Sequence, residues 1–415
     1  MIDRSLKKKV KRILYLIYLF KVSITRMLFL NRVRKKKKIN VVFFASNLSM
    51  WRYQHLYELF SMHELFNSFI VLVPFSSYSK EDQAKNMEEL KRYFKSKNIA
   101  YLEASSCNVK SDLNPDILFY PQYYFDCLPL KCDARFFKDR LLCAYPYAFN
   151  NIYDFYAYND RFHNVAWKLF YPNESILKEA QEIAYNKGRN VVVTGYPTAD
   201  DFLSPEKKEV WKKQKNPKKR IIWAPHFTIE KGCSPLFFSN FLKFYNLMQN
   251  LAISYSDVIQ FAFKPHPRLL TELYKHEDWG REKTDDYYDW WTRQENTQLE
   301  TGEFINLFKT SDAMIHDCGS FSIEYFYTQK PVMFLCRDMQ EIKKNKNDVG
   351  KVALDSHYIG KNKEDVVDFI ENVVLKGSDP MKQQRESFFK KYLLPPNGKT
   401  VAQNTMDDIL TSLGV

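Results

Sequence analysis

From residue 39 onward, short apolar runs alternate with longer amphipathic stretches. The runs have the length and the Val, Ile and Phe content of buried strands, and the stretches between them have helical spacing. The predicted strands of the first half lie at INVVFFAS (39–46), FNSFIVLVPF (66–75), IAYLEA, DILFYPQ, LLCAYPY and NVVVTGYP (190–197). Those of the second half lie at RIIWAP (220–225), VIQFAFKP (258–265), AMIHD (313–317) and PVMFL (331–335).

This alternation predicts an α/β protein with parallel, doubly wound sheets, because parallel strands are joined by crossover helices. A Pro- and Lys-rich stretch at 204–220 separates the two series. We therefore expect two Rossmann-like domains that face a cleft, at 39–203 and 204–395, followed by a C-terminal helix at 396–415. The polar and aromatic segment 277–300 is predicted to form a loop over the cleft.

Residues 1–38 form a separate basic segment. They contain 14 of the 62 Lys and Arg residues and one of the 49 Asp and Glu residues, so the rest of the chain has no net formal charge. The longest apolar run, Ile13 to Phe20, is shorter than the roughly 20 residues of a membrane span, and no signal-peptide cleavage site follows it. Basic clusters on both sides favour an amphipathic helix on an anionic membrane surface. The alternatives are an ordinary helix packed on the domain and a tilted single span.

Composition excludes several classes of protein. With 415 residues, 16% aromatic residues and only 11 Gly, the chain is neither disordered nor of low complexity. Its neutral body argues against a nucleic-acid-binding groove. The seven Cys residues lack paired metal spacing, which predicts free thiols in a reducing cytoplasm and no zinc site.

Polar residues that carry chemistry follow three predicted strands of the second series. His226 follows the first strand, and Lys264 and His266 end the second, with Arg268 at the start of the next helix. The loop and helix start after the third strand contain His316, Asp317, Gly319, Ser320, Phe321, Ser322 and Glu324. Ligands of doubly wound sheets bind outside the carboxyl ends of the strands, so these residues are predicted to form one site.

The residue types of this predicted site favour a pyrophosphate ligand. His and Lys side chains can stabilise charge on a leaving phosphate, and a tight turn at Gly319 would aim helix N-terminal amides at an anion. Taken singly, Ser320 could be only an N-cap, Glu324 a first-turn acid and Lys264 a solvated loop residue. No Walker motif and no G-x-G-x-x-G motif is present, which argues against a P-loop ATPase and an NAD enzyme.

At these positions the sequence resembles the CDP-glycerol glycerophosphotransferases of teichoic acid and capsule synthesis. The resemblance extends from about residue 195 to the C-terminus and rests on TGYPTADDF (194–202), IIWAPHFT, KPHP, LFKTSDAMIHDCGSFSIEYFYTQKPVMFL and GKTVAQN. It implies a GT-B fold in which the C-terminal domain binds the CDP-activated donor and the N-terminal domain faces the acceptor. It also implies peripheral attachment to the cytoplasmic face of the cell membrane, in agreement with the basic segment 1–38.

The resemblance also implies roles for individual residues. His266 of KPHP and the loop of Asp317 and Ser320 would hold the donor phosphates. The predicted catalytic residues are His266, Asp317 and His226, and the predicted donor-binding residues are Lys264, Arg268, His316, Gly319, Ser320, Phe321, Ser322 and Glu324. CDP-glycerol is the expected donor substrate, no cofactor is predicted, and a metal requirement stays open.

Two motifs depart from the family pattern. Family polymerases carry an HGTP motif whose His is the expected general base, whereas the corresponding region here reads CAYPYAFNN (143–151), and HDCGSF replaces the usual TDYSS. Asp317 is the favoured candidate for the base, with His163 as the alternative. Tyr145 and Tyr147 are poorer candidates, because a phenol with a pKa near 10 is a weak base at neutral pH.

The favoured hypothesis is a membrane-surface transferase that moves glycerol phosphate, or a related polyol phosphate, from a CDP donor to a glycan or lipid-linked acceptor. One alternative is a GT-B glycosyltransferase that uses a CMP- or UDP-sugar, since bacterial sialyltransferases carry a similar KxHP motif followed by a serine motif. The other is a membrane-bound nucleotide-binding protein without catalysis. The expected partners are the activated donor, the acceptor and an anionic membrane surface, with no nucleic acid.

Overall fold

The computed structural model describes residues 4–153, 158–230, 238–302 and 304–415. Its strands are β1 (Ile39–Ala45), β2 (Phe66–Leu72), β3 (Leu102–Glu103), β4 (Ile117–Tyr120), β5 (Leu141–Ala144), β6 (Lys168–Tyr171), β7 (Val191–Val193), β8 (Lys219–Ala224), β9 (Ile259–Phe263), β10 (Thr297–Leu299), β11 (Ala313–His316), β12 (Val332–Leu335) and β13 (Tyr358–Gly360). Its α-helices are α1 (Arg4–Val33), α2 (Gln54–Met62), α3 (Lys80–Ser96), α4 (Arg161–Val165), α5 (Glu174–Ile183), α6 (Thr198–Leu203), α7 (Phe241–Ser254), α8 (Leu269–Lys275), α9 (Gly280–Arg293), α10 (Ile305–Thr310), α11 (Phe321–Glu324), α12 (Met339–Lys344), α13 (Asp348–Asp355), α14 (Lys363–Asp368), α15 (Lys382–Phe388) and α16 (Val401–Leu413).

Two compact units divide the chain. The first comprises Met1–Ala148, Asp154–Asp200 and Pro395–Val415, and the second comprises Phe149–Tyr153 and Asp201–Leu394. The predicted division after residue 203 falls close to the one between Asp200 and Asp201. The short segment 149–153, however, belongs to the second unit although both of its flanks belong to the first.

Both units contain one parallel sheet with the same order of strands. The first sheet has seven strands in the order β3-β2-β1-β4-β5-β6-β7, and the second has six in the order β10-β9-β8-β11-β12-β13. The central strands are buried on both faces, as expected for continuous apolar runs covered by helices. Each sheet reverses its order once, between β1 and β4 and between β8 and β11. The predicted fold of two Rossmann-like, doubly wound units is confirmed.

The core of the second unit contains a group of packed aromatic rings, and one of the helices that supply them was not expected. Trp223 of β8 stacks on Phe263 of β9 with ring centroids 5.0 Å apart, and Trp291 of α9 packs against both. The prediction of a loop at 277–300 is wrong, because this segment contains α9 and β10. Thr284, Tyr287, Tyr288 and Trp291 are buried at helical spacing. Tyr and Trp form most of the apolar face of this helix. A search for aliphatic residues at helical spacing therefore does not detect it.

The motifs TGYPTADDF and GKTVAQN meet in the first unit. The carboxylate of Asp200 accepts the backbone N–H groups of Val401 at 2.7 Å and Ala402 at 2.9 Å, so it caps the N-terminus of α16. Gly195 has φ +102, and a Cβ there would lie 2.8 Å from a side-chain carbon of Val401. Only glycine fits that position, which ties the C-terminal helix to the end of β7.

The N-terminal helix α1 has two different faces. Residues at helical spacing face the first unit, and the Arg26 guanidinium donates to the carbonyl oxygens of Val165 at 2.8 Å and Ala166 at 2.7 Å. The outward face exposes large apolar side chains, among them Ile13, Leu14, Leu16, Ile17, Phe20, Ile24, Met27 and Leu28. Its segment 9–33 is long and apolar enough to cross a membrane by length and composition.

Candidate active site

The reversal of strand order in the second sheet positions the first pair of predicted residues. Strands β8 and β11 are paired in parallel, with Ala224 opposite His316. Crossover helices leave such a pair on opposite faces of the sheet, which opens a crevice at its carboxyl end. His226 follows β8, Asp317 follows β11, and the backbone N–H of His226 donates to the Asp317 carboxylate at 2.6 Å. The crevice thus contains two of the three predicted catalytic residues.

His266, the third predicted catalytic residue, lies beside His226. Their ring centroids are 4.9 Å apart. Nδ1 of His266 accepts the backbone N–H of Arg268 at 3.2 Å. Nδ1 of His226 lies 3.0 Å from the Thr228 hydroxyl, whose oxygen already accepts the N–H of Phe238 at 3.1 Å. Neutral His266 therefore carries its proton on Nε2, and with the Thr228 hydroxyl as the donor His226 takes the same tautomer.

Both histidines are neutral at physiological pH. Burial, followed by the nearby positive charges, lowers the pKa of His226 to about 3 and that of His266 to about 4. Within the described ranges, neither Nε2 atom has a hydrogen-bond partner on the protein. The pair therefore offers two neutral N–H donors, side by side, to a ligand in the crevice.

Cationic side chains flank the histidine pair. The exposed guanidinium of Arg268 stacks over the ring of Phe227, 4.1 Å from its centroid, and pairs with Glu272 at 3.5 Å. Lys264 is only 6% exposed, and its Nζ donates to the carbonyl of Gly302 at 2.8 Å. Arg268 can reach a ligand from solvent, whereas Lys264 mainly fixes the loop after β10.

The loop after β11 differs from its predicted form. The φ of Gly319 is not positive, and a Cβ there would lie no closer than 3.9 Å to Phe238, so the backbone does not require glycine. The following helix α11 spans only Phe321–Glu324. A 3-10 helix at Tyr325–Thr328 continues it directly, and the anion-binding role of its first amides stays a prediction. Ser320 and Phe321 are half-buried and can face a ligand.

Three predicted donor-binding residues are buried inside the fold. Ser322 is 1% exposed, and Glu324 is 2% exposed. His316 is fully buried: its Nδ1 accepts the N–H of Cys318 at 3.1 Å, and its Nε2 lies 3.2 Å from Nε2 of His357. Burial holds the pKa of His316 well below its usual value. Because β11 alternates the direction of its side chains, this ring faces the core and is removed from the donor-binding set.

The two candidates for the general base are also enclosed. Asp317 is fully buried, and its two carboxylate oxygens accept the backbone N–H groups of His226 and Asn240. Burial raises the pKa of Asp317 to about 7. His163 is fully buried with Nε2 2.6 Å from the Tyr171 hydroxyl, and burial lowers its pKa to about 3. Both residues support structure, and neither presents a free basic atom to an acceptor.

Tyr145 and Tyr147 have different environments. The hydroxyl of Tyr145 lies 2.6 Å from Oγ1 of Thr405 in the buried core, and burial holds its pKa well above the ordinary value. Tyr147 is 43% exposed. Of the region CAYPYAFNN, the part that enters the second unit is the end, at Asn150 and Asn151.

Sequence reasoning missed several residues of the site. Nδ2 of Asn151 donates to the Gly319 carbonyl and to Oγ of Ser322, so it holds the loop after β11. Oδ1 of Asn151 also accepts a hydrogen bond from the ammonium of buried Lys346 at 3.2 Å. Asn151 lies in the region where the family motif HGTP is missing. That missing motif was the only sequence feature that pointed to this residue. Within the described residues, no three His, Cys, Asp or Glu side chains are grouped as metal ligands would be.

A family profile described as CDP-Glycerol:Poly(glycerophosphate) glycerophosphotransferase matches residues 155–410. The match covers more than half of the chain. No curated protein matches the sequence.

Solved structures with similar folds belong to two kinds of protein. A variant of the wall teichoic acid polymerase TagF is 13% identical, with a TM-score of 0.57 over 100% of this chain and 99% of that one. The same variant soaked with CDPG gives a TM-score of 0.56 at 13% identity over 100% and 98%. The UDP-GlcNAc 2-epimerase of Neisseria meningitidis bound to UDP-GlcNAc is 15% identical, with a TM-score of 0.54 over 91% and 100%. At these identities the likeness shows the GT-B-like fold.

Proposed function

The chain belongs to the CDP-glycerol:poly(glycerophosphate) glycerophosphotransferase family, and from this premise we propose that the crevice between β8 and β11 binds the CDP-activated donor. The protein is a transferase of glycerol phosphate from CDP-glycerol in cell-wall polymer synthesis. The observation that supports the location of the site is the pair of Nε2–H donors on His226 and His266 at the switch point. Such donors suit the oxygens of a pyrophosphate.

The proposed reaction needs charge stabilisation more than covalent chemistry. An acceptor hydroxyl oxygen forms a bond to the β-phosphorus of CDP-glycerol and loses its proton to water. The bond from that phosphorus to the bridging oxygen breaks, and CMP leaves with the electron pair. Negative charge grows on the leaving phosphate, within reach of the two imidazole donors and Arg268. Phosphoryl transfer depends chiefly on positioning and electrostatics, so rigid neutral donors in a half-buried crevice suit it.

The acceptor belongs to the proposal as well. A glycan or lipid-linked hydroxyl is expected because the exposed apolar face of α1 would hold the protein at a membrane, on its cytoplasmic side. Lys9 and Lys11 are exposed near the start of α1, and each basic residue near an anionic leaflet contributes about 1 kcal/mol. Peripheral binding accounts for both faces of α1, since the inward one is docked on the first unit through Arg26.

Replacement of one histidine tests the site. We expect His266→Ala to lower kcat/KM for CDP-glycerol by roughly 100- to 1000-fold, as is typical when one preorganised donor is lost. His276→Ala is the matched control, because Nδ1 of His276 likewise accepts a backbone N–H two residues ahead, from Asp278 at 3.1 Å. It should leave the rate unchanged. If the folded His266→Ala protein turned over CDP-glycerol at the wild-type rate, the proposed location of the donor site would be wrong.

The choice of donor distinguishes this function from its alternatives. We expect CMP release from CDP-glycerol and none from CMP-sialic acid or UDP-GlcNAc, each incubated with an acceptor extract. Turnover of a sugar nucleotide instead would identify a glycosyltransferase. Binding without turnover of any donor would identify a nucleotide-binding protein that lacks catalysis.

A further inference from the structure

Lys346 places a buried ammonium group next to the loop after β11. Lys346 is 2% exposed, and its Nζ donates to Oδ1 of Asn151 at 3.2 Å. The same ammonium lies 5.1 Å from the ring centroid of Phe238, which packs edge-on against His226 at 5.6 Å. Its positive charge contributes to the lowered pKa of His226 and of His316. Lys346 therefore lies within electrostatic reach of the proposed donor site.

The environment of Lys346 differs from that of the other buried lysines. Lys309 donates to the carbonyls of Asp201 at 2.9 Å and Ser204 at 2.7 Å, and the half-buried Lys330 donates to the carbonyls of Lys309 at 2.8 Å and Ser311 at the end of α10. These two ammonium groups hold loops together. Among the described residues, the Lys346 ammonium makes one hydrogen bond, to an uncharged amide, and pairs with no carboxylate. Two of its three N–H donors are left for another acceptor.

Burial of an ammonium without a counter-charge is unfavourable for the empty protein. It lowers the pKa of Lys346 to about 7. A chain keeps such a group where an anion neutralises it during function, and sites of this kind are selected for the ligand at the expense of stability.

The surroundings hold Lys346 in a defined position. Segment 149–153 lies against the start of α13: the Asn347 side chain donates to the Asn150 carbonyl at 3.1 Å, and its backbone N–H donates to Asn151 at 3.3 Å. Gly350 allows this contact, since a Cβ there would come within 2.3 Å of the Asn151 carbonyl oxygen. Asn151 thus connects Lys346 to the Gly319 carbonyl and to Ser322. The loop, the amide and the ammonium form one built cluster.

We propose that Lys346 is a donor-binding residue whose ammonium takes up a phosphate of the nucleoside diphosphate group, with Asn151 as the positioning residue that orients it. This inference rests on the proposed function of the crevice between β8 and β11. It adds to the two histidines an ammonium group that Asn151 connects to the loop containing Gly319. It also gives Asn151 a role at the position where the family His is missing.

The test compares donor and nucleoside binding. For Lys346→Met we expect the Kd of CDP-glycerol to rise at least tenfold by calorimetry, while the Kd of cytidine, which has no phosphate, changes less than twofold. Lys346→Arg keeps the charge and should bind CDP-glycerol within about threefold of wild type. Lys344→Met, at an exposed position of α12, is the control and should bind as wild type does. Without ligand, Lys346→Met should melt at or above the wild-type temperature, because the buried charge is gone.

The outcomes separate this inference from the proposed function. Unchanged CDP-glycerol binding by Lys346→Met, alongside lost turnover in His266→Ala, overturns the role of Lys346 and keeps the crevice as the donor site. An equal loss of cytidine and CDP-glycerol binding, or a Lys346→Arg protein as weak as Lys346→Met, reduces Lys346 to packing and also overturns it. A folded wild-type protein that binds no CDP-glycerol overturns the proposed donor site itself.

Discussion

Asp317 lies beside the proposed reaction but does not face the substrate. Its two oxygens accept N–H groups from the loops after β8 and before α7, at His226 and Asn240. Oδ1 of the Asn240 side chain in turn accepts a hydrogen bond from Nε of Arg337 at 3.1 Å, and its Nδ2 donates to the Leu335 carbonyl at 3.0 Å. A carboxylate that holds two backbone donors fixes the height of His226 above the sheet. We therefore assign Asp317 a positioning role and no longer favour it as the general base.

Asp317→Asn tests this assignment. The amide keeps one acceptor but turns an NH2 group toward a backbone N–H, which leaves a buried donor unsatisfied at about 1–3 kcal/mol. We expect lower melting temperature and lower kcat/KM, with the same limbs in the pH–rate profile as wild type. Asp312→Asn is matched, because Asp312 accepts the N–H of Arg220 at 2.9 Å at the opposite edge of the sheet. The Asp312→Asn variant should have a lower melting temperature but an unchanged KM for CDP-glycerol. Loss of the acidic limb in Asp317→Asn with donor binding intact would restore Asp317 as the base.

At the scale of elements, α1 packs on the first unit and also carries the face that we propose binds the membrane. Val33 is fully buried, and Lys36 pairs with the fully buried carboxylate of Asp116 at 2.7 Å. Removal of residues 1–38 as a block would leave that carboxylate buried without its cation, an arrangement that costs several kcal/mol. Substitutions on the outward face separate membrane binding from stability more cleanly than truncation does.

We expect the triple variant Ile17→Glu, Phe20→Glu and Ile24→Glu to fold normally and to lose flotation with anionic vesicles. These side chains are 47%, 66% and 39% exposed, so their packing contribution is small, whereas each loses apolar contact with lipid. Arg26→Ala, on the inward face, should instead lower the melting temperature while vesicle binding persists. Flotation of the triple variant at the wild-type level would exclude α1 as the anchor.

At the scale of the whole molecule, buried histidines dominate the response to acid. Burial lowers the pKa of five of them below the ordinary value, to about 3 or about 4 where a value is given: His163, His226, His266, His316 and His357. The unfolded chain binds protons on these groups near pH 6.5, and the folded chain does not. Stability therefore falls as pH drops from about 6.5 toward 4. Asp317 acts in the opposite direction, since its raised pKa lets the folded state hold a proton between about pH 4 and 7.

We expect the melting temperature to fall steadily between pH 7 and pH 5, because the destabilising effect of the five buried histidines exceeds the opposite effect of Asp317. Each fully shifted histidine contributes up to about 1.4 kcal/mol per pH unit. His163→Gln should flatten the slope by the share of one histidine. A melting temperature that stays level or rises toward pH 5 would contradict the buried, neutral state of these rings.

Local sequence predicted most of the strands, and the roles of the polar residues at their ends stay a prediction. The runs before His226, His266 and Asp317 are each a central strand of the second sheet, because strands covered on both faces need continuous apolar residues. It failed at α9, where Tyr and Trp form the buried face. It also placed His316 in the site, although the alternation along β11 sends that ring into the core.

The sequence by itself determined the parallel α/β architecture, the family, and the edge of the sheet at which the polar residues gather. These follow from hydrophobic period and from motifs, which are properties of neighbouring residues along the chain. Only the tertiary structure decided that Asn151 joins the second unit and meets Gly319 and Lys346, and that Asp317 supports His226. Those partners lie far apart in the chain and meet through the crossover connections of the sheet, so no local pattern encodes which side chains face each other.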